Sequence, residues 1–284
     1  MFKNSPLNIF STLVHLMFLS SVIWVFLVEF KLIYLGLFLI NFIWFGLSSS
    51  LYFHRTLSHK SAELHPILEY FFLTGAAISL SGSPISWVAI HRYHHVHPDT
   101  ETDPHSPVHG RFWAYLGWVA HIDLEILEEL NKTYAKDLLA KPMYRIFDHK
   151  LMLILPFLIY NLLLFIFLGL GGIVWGSLLA TLFSYNFHWM LIASFCHESK
   201  FGYRRFSTPD KSRNIPWLSL LTFGESLHNN HHKYPSNFQL KSAKNEFDFS
   251  YVCIRFFEQI GLAKNIKKTD YEITKPHVKS AELK

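Results

Sequence analysis

Residues 32–59 read LIYLGLFLINFIWFGLSSSLYFHRTLSH, and the change of character inside this stretch decides the fold. Leu32 to Phe53 carries no Asp, Glu, Lys or Arg, and His54 and His59 follow at once around a single arginine. A membrane span needs about 20 predominantly apolar residues. The run is therefore long enough to cross a bilayer and to deliver its histidines at the bilayer's edge.

Working outward, Leu7 to Val28 is also uncharged and is separated from Leu32 only by Glu29, Phe30 and Lys31. Leu151 to His197 is a third uncharged run, interrupted by Gly169-Leu170-Gly171-Gly172. Each block reads as a helical hairpin. The predicted fold class is an all-α integral membrane protein with four transmembrane helices, at about 7–28, 32–53, 151–169 and 173–195, and a helical cap made of 54–150 and 197–284. The first run lacks a small-residue cleavage site and a second span follows it directly, so it does not read as a signal peptide. With no repeat, low-complexity segment or Pro- or Ser-rich linker, residues 1–284 are expected to form one domain. Composition agrees: half the residues are hydrophobic and 17% are charged, against roughly 25% in an average soluble protein.

Every Lys and Arg except Lys31 falls at the N-terminus, in 54–150 or after 197. Arg55, Lys60, Lys141, Arg145, Lys150, Lys200, Arg204 and Arg205 lie close to span ends, where basic residues mark the cytoplasmic side. The cap is expected there. The formal charge of +5 is thus a topology signal, and no nucleic-acid partner is expected. Cys196 and Cys253 show no CxxC spacing and suit a reducing face.

Tyr70 to Ile90 is uncharged as well, but Gly75, Ser79, Ser81, Gly82, Ser83 and Pro84 interrupt it. If it crossed the membrane, His54 and His59 would be separated from His91, His94 and His95. It is expected to lie in the interface or to dip in and return. Ile122, Ile126, Leu127, Leu130, Tyr134 and Leu138 recur at helical spacing among acids and lysines, which predicts one amphipathic helix.

Nine of the eighteen histidines form a pattern: His54 and His59, then HRYHH at 91–95, His197, and HNNHH at 228–232. Both triplets (His91, His94, His95 and His228, His231, His232) have i, i+3, i+4 spacing, so each can direct three imidazoles from one helix face toward one place. His54 and His59 are five apart, about 140° around an α-helix, which suggests that they serve different ions. A catalytic zinc usually takes three protein ligands, so nine candidates imply two metals, or one metal with spectators. Imidazole alone allows zinc hydrolysis as well as iron or copper oxygen chemistry. No Gly-rich nucleotide loop and no Gly-x-Ser-x-Gly elbow is visible, which leaves any chemistry to the metal. His15, His65, His121, His149, His188 and His277 read as structural. His97, His105 and His109 are candidates to support the ligands.

HxxxxH after the second run, HxxHH beyond it and HxxHH after the fourth, within "WVAIHRYHH", "DTETDPHSP", "GRFWAYLGW" and "GESLHNNHHKYP", resemble the membrane-bound fatty acid desaturases, specifically the acyl-CoA (delta-9, stearoyl-CoA) type. The resemblance runs from about His54 to Pro235. It implies a helical membrane protein whose cytosolic cap holds two iron ions above a bent hydrophobic tunnel. Such a protein inserts a cis double bond, at Δ9 in this type, using O2 and two electrons from a separate carrier. Carried over by position, His54, His59, His91, His94, His95, His197, His228, His231 and His232 are the iron ligands. Asp103, His105, Glu225 and Asn229 match residues flanking the boxes, and Trp87, Phe112, Trp113, Tyr115 and Trp118 are candidate substrate walls.

Two departures stand out. Family members often carry Asn four residues before the histidine of the fourth span, where this chain has Ala193. Animal acyl-CoA desaturases place Arg-Asp before the second box, where this chain has Ala89-Ile90, so the acyl carrier is open among CoA, a glycerolipid and another thioester. No cytochrome b5-like domain is expected in the chain. The resemblance therefore implies a ferredoxin or a separate cytochrome b5 with its reductase as electron donor, which Lys241, Lys244, Lys264, Lys267 and Lys268 can dock. Four spans without a retention signal point to a bacterial inner membrane. The nearest alternative is a hydroxylase on the same scaffold, which begins with the same hydrogen abstraction. From another class, a zinc-dependent membrane hydrolase would need Glu225 as its base. A metal transporter would favour ionisable residues within the spans, where only His15 and His188 occur.

Overall fold

The computed structural model describes residues 5–198 and 200–269; His277 lies outside them. Among the described residues three helices are long and apolar enough to cross a membrane: Ile9–Leu27, Leu32–Ser58 and Leu155–Phe195. The first is α1, capped by Asn8, whose side chain accepts from the Ser11 amide at 3.0 Å. Its apolar residues stay largely exposed, Phe26 at 84%, the pattern of a helix whose solvent is lipid. The second begins as α2, Leu32–Leu47, and continues without a break as a π-helix, Ser48–Ser58.

The helix Leu155–Phe195 is 41 residues long, and Gly169 breaks it with φ 65° and ψ −162°, a region essentially reserved for glycine. The chain folds back there. The Asn41 amide donates both to Tyr160 Oη at 2.6 Å and to the Gly176 carbonyl at 2.8 Å; along a straight helix those two residues would be about 24 Å apart. Phe18 likewise packs on both Phe157 and Tyr185. At the bend, Tyr34 Oη donates to the Leu168 carbonyl at 3.0 Å, satisfying a backbone group that the break would otherwise orphan.

The uncharged stretch 70–90 forms no continuous span. It is divided between α3, Pro66–Ile78, and α4, Pro84–Val96, separated by a turn in which Leu80 and Gly82 take positive φ. Ser83 caps α4 by accepting from the Ile85 and Ser86 amides, and Pro84 opens it. The single amphipathic helix expected over 122–138 is split at Ala135 into α5, Leu124–Tyr134, and α6, Lys136–Leu139. Its apolar stripe packs as read: Leu130 and Leu138 are buried in the main core beside Phe53, Val88 and Tyr93. A further short helix, α7, covers Pro142–Asp148.

Arg92 locks these pieces together. Its guanidinium donates to the carbonyls of Leu57 (2.7 Å), Ser58 (2.9 Å) and Tyr134 (2.8 Å), and to both oxygens of Asp137. One side chain thus holds the end of the π-helix against α4 and α6. After residue 200 come the short helix His228–Lys233 and the amphipathic helix Phe249–Gln259. Ala263–Lys264 then pairs antiparallel with Glu63–Leu64, which returns the chain to the foot of the π-helix.

Candidate metal centre

The nine patterned histidines converge in two groups. His54, His59, His91, His95 and His231 form one, and His94, His197, His228 and His232 the other, with the nitrogens of each group within 4.8 Å of one another. Both triplets are divided between the groups, contrary to the expectation that each would point to one place. On α4, His91 and His95 turn one way and His94 the other; on the helix His228–Lys233, His228 and His232 turn together and His231 apart. The reason is angular: i+3 and i+4 lie on opposite sides of i, about 100° from each other, so a helix seated between two centres serves both.

His54 and His59 share one group, which corrects the expectation from α-helical spacing. The π-helix closes i→i+5 hydrogen bonds and so returns to the same face after about five residues. The His59 amide donates to the His54 carbonyl at 3.3 Å. Thr56 Oγ1 and Ser58 Oγ reinforce the wide turn by donating to the carbonyls five residues back, Leu51 and Phe53.

The donor set fits two metal ions. Nε2 atoms face one another at 2.8 Å (His59 and His91), 3.0 Å (His54 and His231), 2.9 Å (His231 and His95) and 3.0 Å (His232 and His228). A neutral imidazole has one N–H, so His231 Nε2 cannot satisfy two such neighbours by hydrogen bonding in the usual pairwise way. Nitrogens held about 2.0–2.1 Å from a common ion stand about 3 Å apart across a right angle. Burial pushes His59, His91, His95, His228 and His231 well below the usual histidine range, and the other imidazoles add to the effect. His232 is lowered to about 4, burial outweighing its Asp210 contact. These shifts favour the neutral form of those six rings, the form that binds metal.

Carboxylates stand behind the rings. Asp103 Oδ2 is 2.9 Å from His94 Nδ1, Asp99 Oδ1 2.9 Å from His197 Nδ1, Asp210 Oδ2 3.3 Å from His232 Nδ1 and Glu225 Oε2 2.5 Å from His54 Nδ1. Such partners fix the tautomer and orient the ring. Burial alone would raise Glu225, but His54 and Arg55 bring it down to about 2. For Asp103 the same competition ends below the usual carboxylate range, through His94 and His105. Glu225 Oε1 also accepts from Arg55 Nε at 3.0 Å and Ser50 Oγ at 2.5 Å. Arg55 in turn donates to both oxygens of Asp248 and to the carbonyls of Phe223 and Phe238.

A cavity of about 40 Å³ opens beside both groups, lined by His54, His91, His94, His105 and His228 and walled by Trp87, Ile90, Trp189, Ile192 and Ala193. That is room for a few water-sized molecules against apolar walls, a chamber suited to a short length of alkyl chain beside the metal-binding nitrogens.

Residues 14–245 match the family described as fatty acid desaturase. The chain belongs to the fatty acid desaturase family. The delta-9 acyl-lipid desaturase 1 of Arabidopsis thaliana is 35% identical over 222 residues, covering 78% of this chain and 71% of that protein. The sn-1 stearoyl-lipid 9-desaturase of Anabaena variabilis is 34% identical over 233 residues, 79% and 80% of the two chains. An acyl-CoA C20 Delta5-desaturase of Anemone leveillei is 35% identical over 221 residues, 77% and 69%. The chain is thus a membrane oxidoreductase acting on acyl chains.

Among the other residues singled out from the sequence, Trp87 lines the desaturase's cavity and stacks on His91, with centroids 5.2 Å apart. Trp118 is buried one layer back, against His105 and Trp189. Trp113 donates to the Pro104 carbonyl and packs on His109 and His121, and Phe112 is 72% exposed; neither lines this cavity. Tyr115 lines a separate small cavity with His15 and Phe18. Of the three supporting histidines, only His105 reaches the site, its ring 4.3 Å from His94. His97 packs on Tyr93, and His109 bonds to the Glu101 carbonyl. The Asn229 side chain accepts from the Arg205 and Phe206 amides and donates to Thr208 and Ser212, shaping the loop that carries Asp210.

Sequence reading passed over Asp99, Asp210, Asp248, Trp189 and Ile192, and it took His188, which lines the cavity, as structural. The run DTETDPHSP held a signal for Asp99. Asp210 sits in TPDKSRN, where no spacing marks it.

Proposed function

We propose that this desaturase introduces a cis double bond at Δ9 of a saturated acyl chain at a centre of two iron ions. The observation that carries the reading is the gathering of nine imidazoles from four separated segments against an apolar chamber. Overall, the acyl chain loses two hydrogen atoms and O2 takes these together with two electrons and two protons, leaving two waters. The nine histidines hold the ions, which when bound supply the oxidising power needed to break an unactivated C–H bond. Asp99, Asp103, Asp210 and Glu225 keep the rings aimed. Trp87, Trp189, Ile192 and Ala193 fix which carbons approach and keep bulk water out, so that position alone selects the bond. Imidazoles suit this task because they resist the oxidation that consumes thiolates.

The reversal at Gly169 and the long apolar helices support four crossings at about 7–28, 32–53, 151–169 and 173–195, with the cap, 54–150 and 197–284, on the cytoplasmic side of a bacterial inner membrane. On this reading the whole chain is one desaturase domain. Ala89 and Ile90 are both buried and offer no charge to a CoA headgroup, which favours a lipid-linked acyl chain, the carrier for which two of the relatives described above are named. Electrons come from a ferredoxin or a cytochrome b5 with its reductase, docked on the exposed Lys244, Lys264, Lys267 and Lys268.

Gas chromatography with mass spectrometry of fatty acid methyl esters, from desaturase-deficient cells expressing the chain beside a His94→Ala control, tests the proposal. A new Δ9 cis-monoene that vanishes in the control is expected. A hydroxy acid instead would move the protein to the hydroxylases, and a double bond elsewhere would overturn the assigned position.

A further inference from the structure

The two histidine groups are not supported alike. In the four-histidine group, three of the four rings carry a carboxylate at Nδ1: Asp103 on His94, Asp99 on His197 and Asp210 on His232. In the five-histidine group, the carboxylate found on a ring among the described residues is Glu225 on His54, and Glu225 shares the Arg55 guanidinium with Asp248, so that these three groups together carry one net negative charge. Nδ1 of His231 lies buried with no hydrogen-bond partner among the described residues, but so do Nδ1 of His228 and, although Asp99 is 2.9 Å away, Nδ1 of His197, so the contrast between the groups lies in the number of carboxylates close to the rings.

The three aspartates are built into place. Asp103 accepts from the Asp99 and His105 amides, Asp99 from the Lys211 amide at 2.6 Å, and Asp210 from the Ser212 amide and Thr208 Oγ1. These bonds hold each carboxylate against its ring when the chain moves. A carboxylate that accepts the Nδ1 proton of an imidazole pushes electron density to Nε2 and makes the ring a more basic ligand. More basic ligands and nearby negative charge both favour the more highly charged state of an ion.

We propose that Asp99, Asp103 and Asp210 make the four-histidine iron the first of the two to be oxidised, so that the centre holds two electrically unequal ions. This inference rests on the two-iron reading above. In the step concerned, one electron leaves the ferrous ion of the four-histidine group and passes to a one-electron acceptor, and no bond is made or broken. The aspartates thereby give the centre a fixed order of oxidation, in which the ion with fewer protein ligands and the more negative surroundings goes first.

The test is a titration of purified, iron-loaded, fully reduced protein with ferricyanide, followed by Mössbauer and electron paramagnetic resonance spectroscopy, with iron counted per chain. Two resolved one-electron steps are expected in the unaltered protein. In Asp99→Asn and Asp210→Asn the lower potential should rise by about 59 mV or more, a tenfold change in a one-electron equilibrium, while the upper one stays in place. A single two-electron step in the unaltered protein, or equal movement of both potentials in the variants, overturns the inference. Should a variant keep only one iron, that iron must show the upper of the two original potentials, and the lower value would overturn the inference too. An iron count other than two per chain in the unaltered protein defeats the two-iron reading itself, which separates the two failures.

Discussion

Arg55 sits between His54 and the rest of the site as a buried guanidinium at 1% exposure, bound to Glu225 on one side and Asp248 on the other. Breaking a buried ion pair by removing one partner typically costs about 3–5 kcal/mol. Because Glu225 remains, Asp248→Asn is expected near the lower end, about 3 kcal/mol. Thermal unfolding in detergent should show the loss, and an unchanged melting temperature would mean that Asp248 carries none of the load. Asp137 makes a different prediction. Burial alone would raise its carboxyl, but the hydrogen bonds of Arg92 and Lys60 override that and hold it below the usual aspartate range. A depressed folded-state value gives stability that is complete above the unfolded pKa of about 3.9 and is lost as pH falls through the folded value beneath it. Asp137→Asn should therefore flatten the acid limb of a stability profile and leave its slope near neutral pH untouched. Salt should shrink the difference, since the pair is partly exposed to solvent.

Among the elements, the π-helix and the bend at Gly169 do what sequence periodicity does not reveal. The nine histidines were legible because their spacing recurs and because the boxes are familiar. Their partition was not, because assigning His54 and His59 to separate ions assumed 3.6 residues per turn, and a local widening to i→i+5 bonds moves both onto one face. Asp99, Asp103 and Asp210 reach their rings from loops, which have no period to read, and only Asp103 was picked out, through the Asp-Pro-His of its neighbourhood. The bend was legible as a glycine cluster, though the conformation that makes one glycine indispensable was not. A Cβ added at Gly169 meets nothing within 4 Å, so Gly169→Ala isolates the backbone cost. We expect a loss of about 1–3 kcal/mol, measured by thermal unfolding, whereas Gly36→Ala, also in open space but in regular helix, should stabilise slightly.

At the scale of the whole molecule, the site is a knot of four segments, 54–59, 91–95, 197 and 228–232, held in place by α4, the π-helix and the Phe249–Gln259 helix. Ions that bind only the assembled arrangement stabilise it by mass action. Stripping metal with a chelator should lower the melting temperature and loosen residues 197–233 toward protease, and adding ferrous iron back should reverse both. No shift on chelation would show that the imidazoles are held together by the protein alone. The Arg55–Asp248 bond also spans 193 positions in the chain. At about 5–20 residues per second of synthesis, a ribosome needs roughly 10–40 s to make the aspartate after it has made the arginine. Through that interval the guanidinium has no Asp248 to pair with. The buried pair that anchors Glu225 to the end of the π-helix can therefore be completed only after most of the chain has been made.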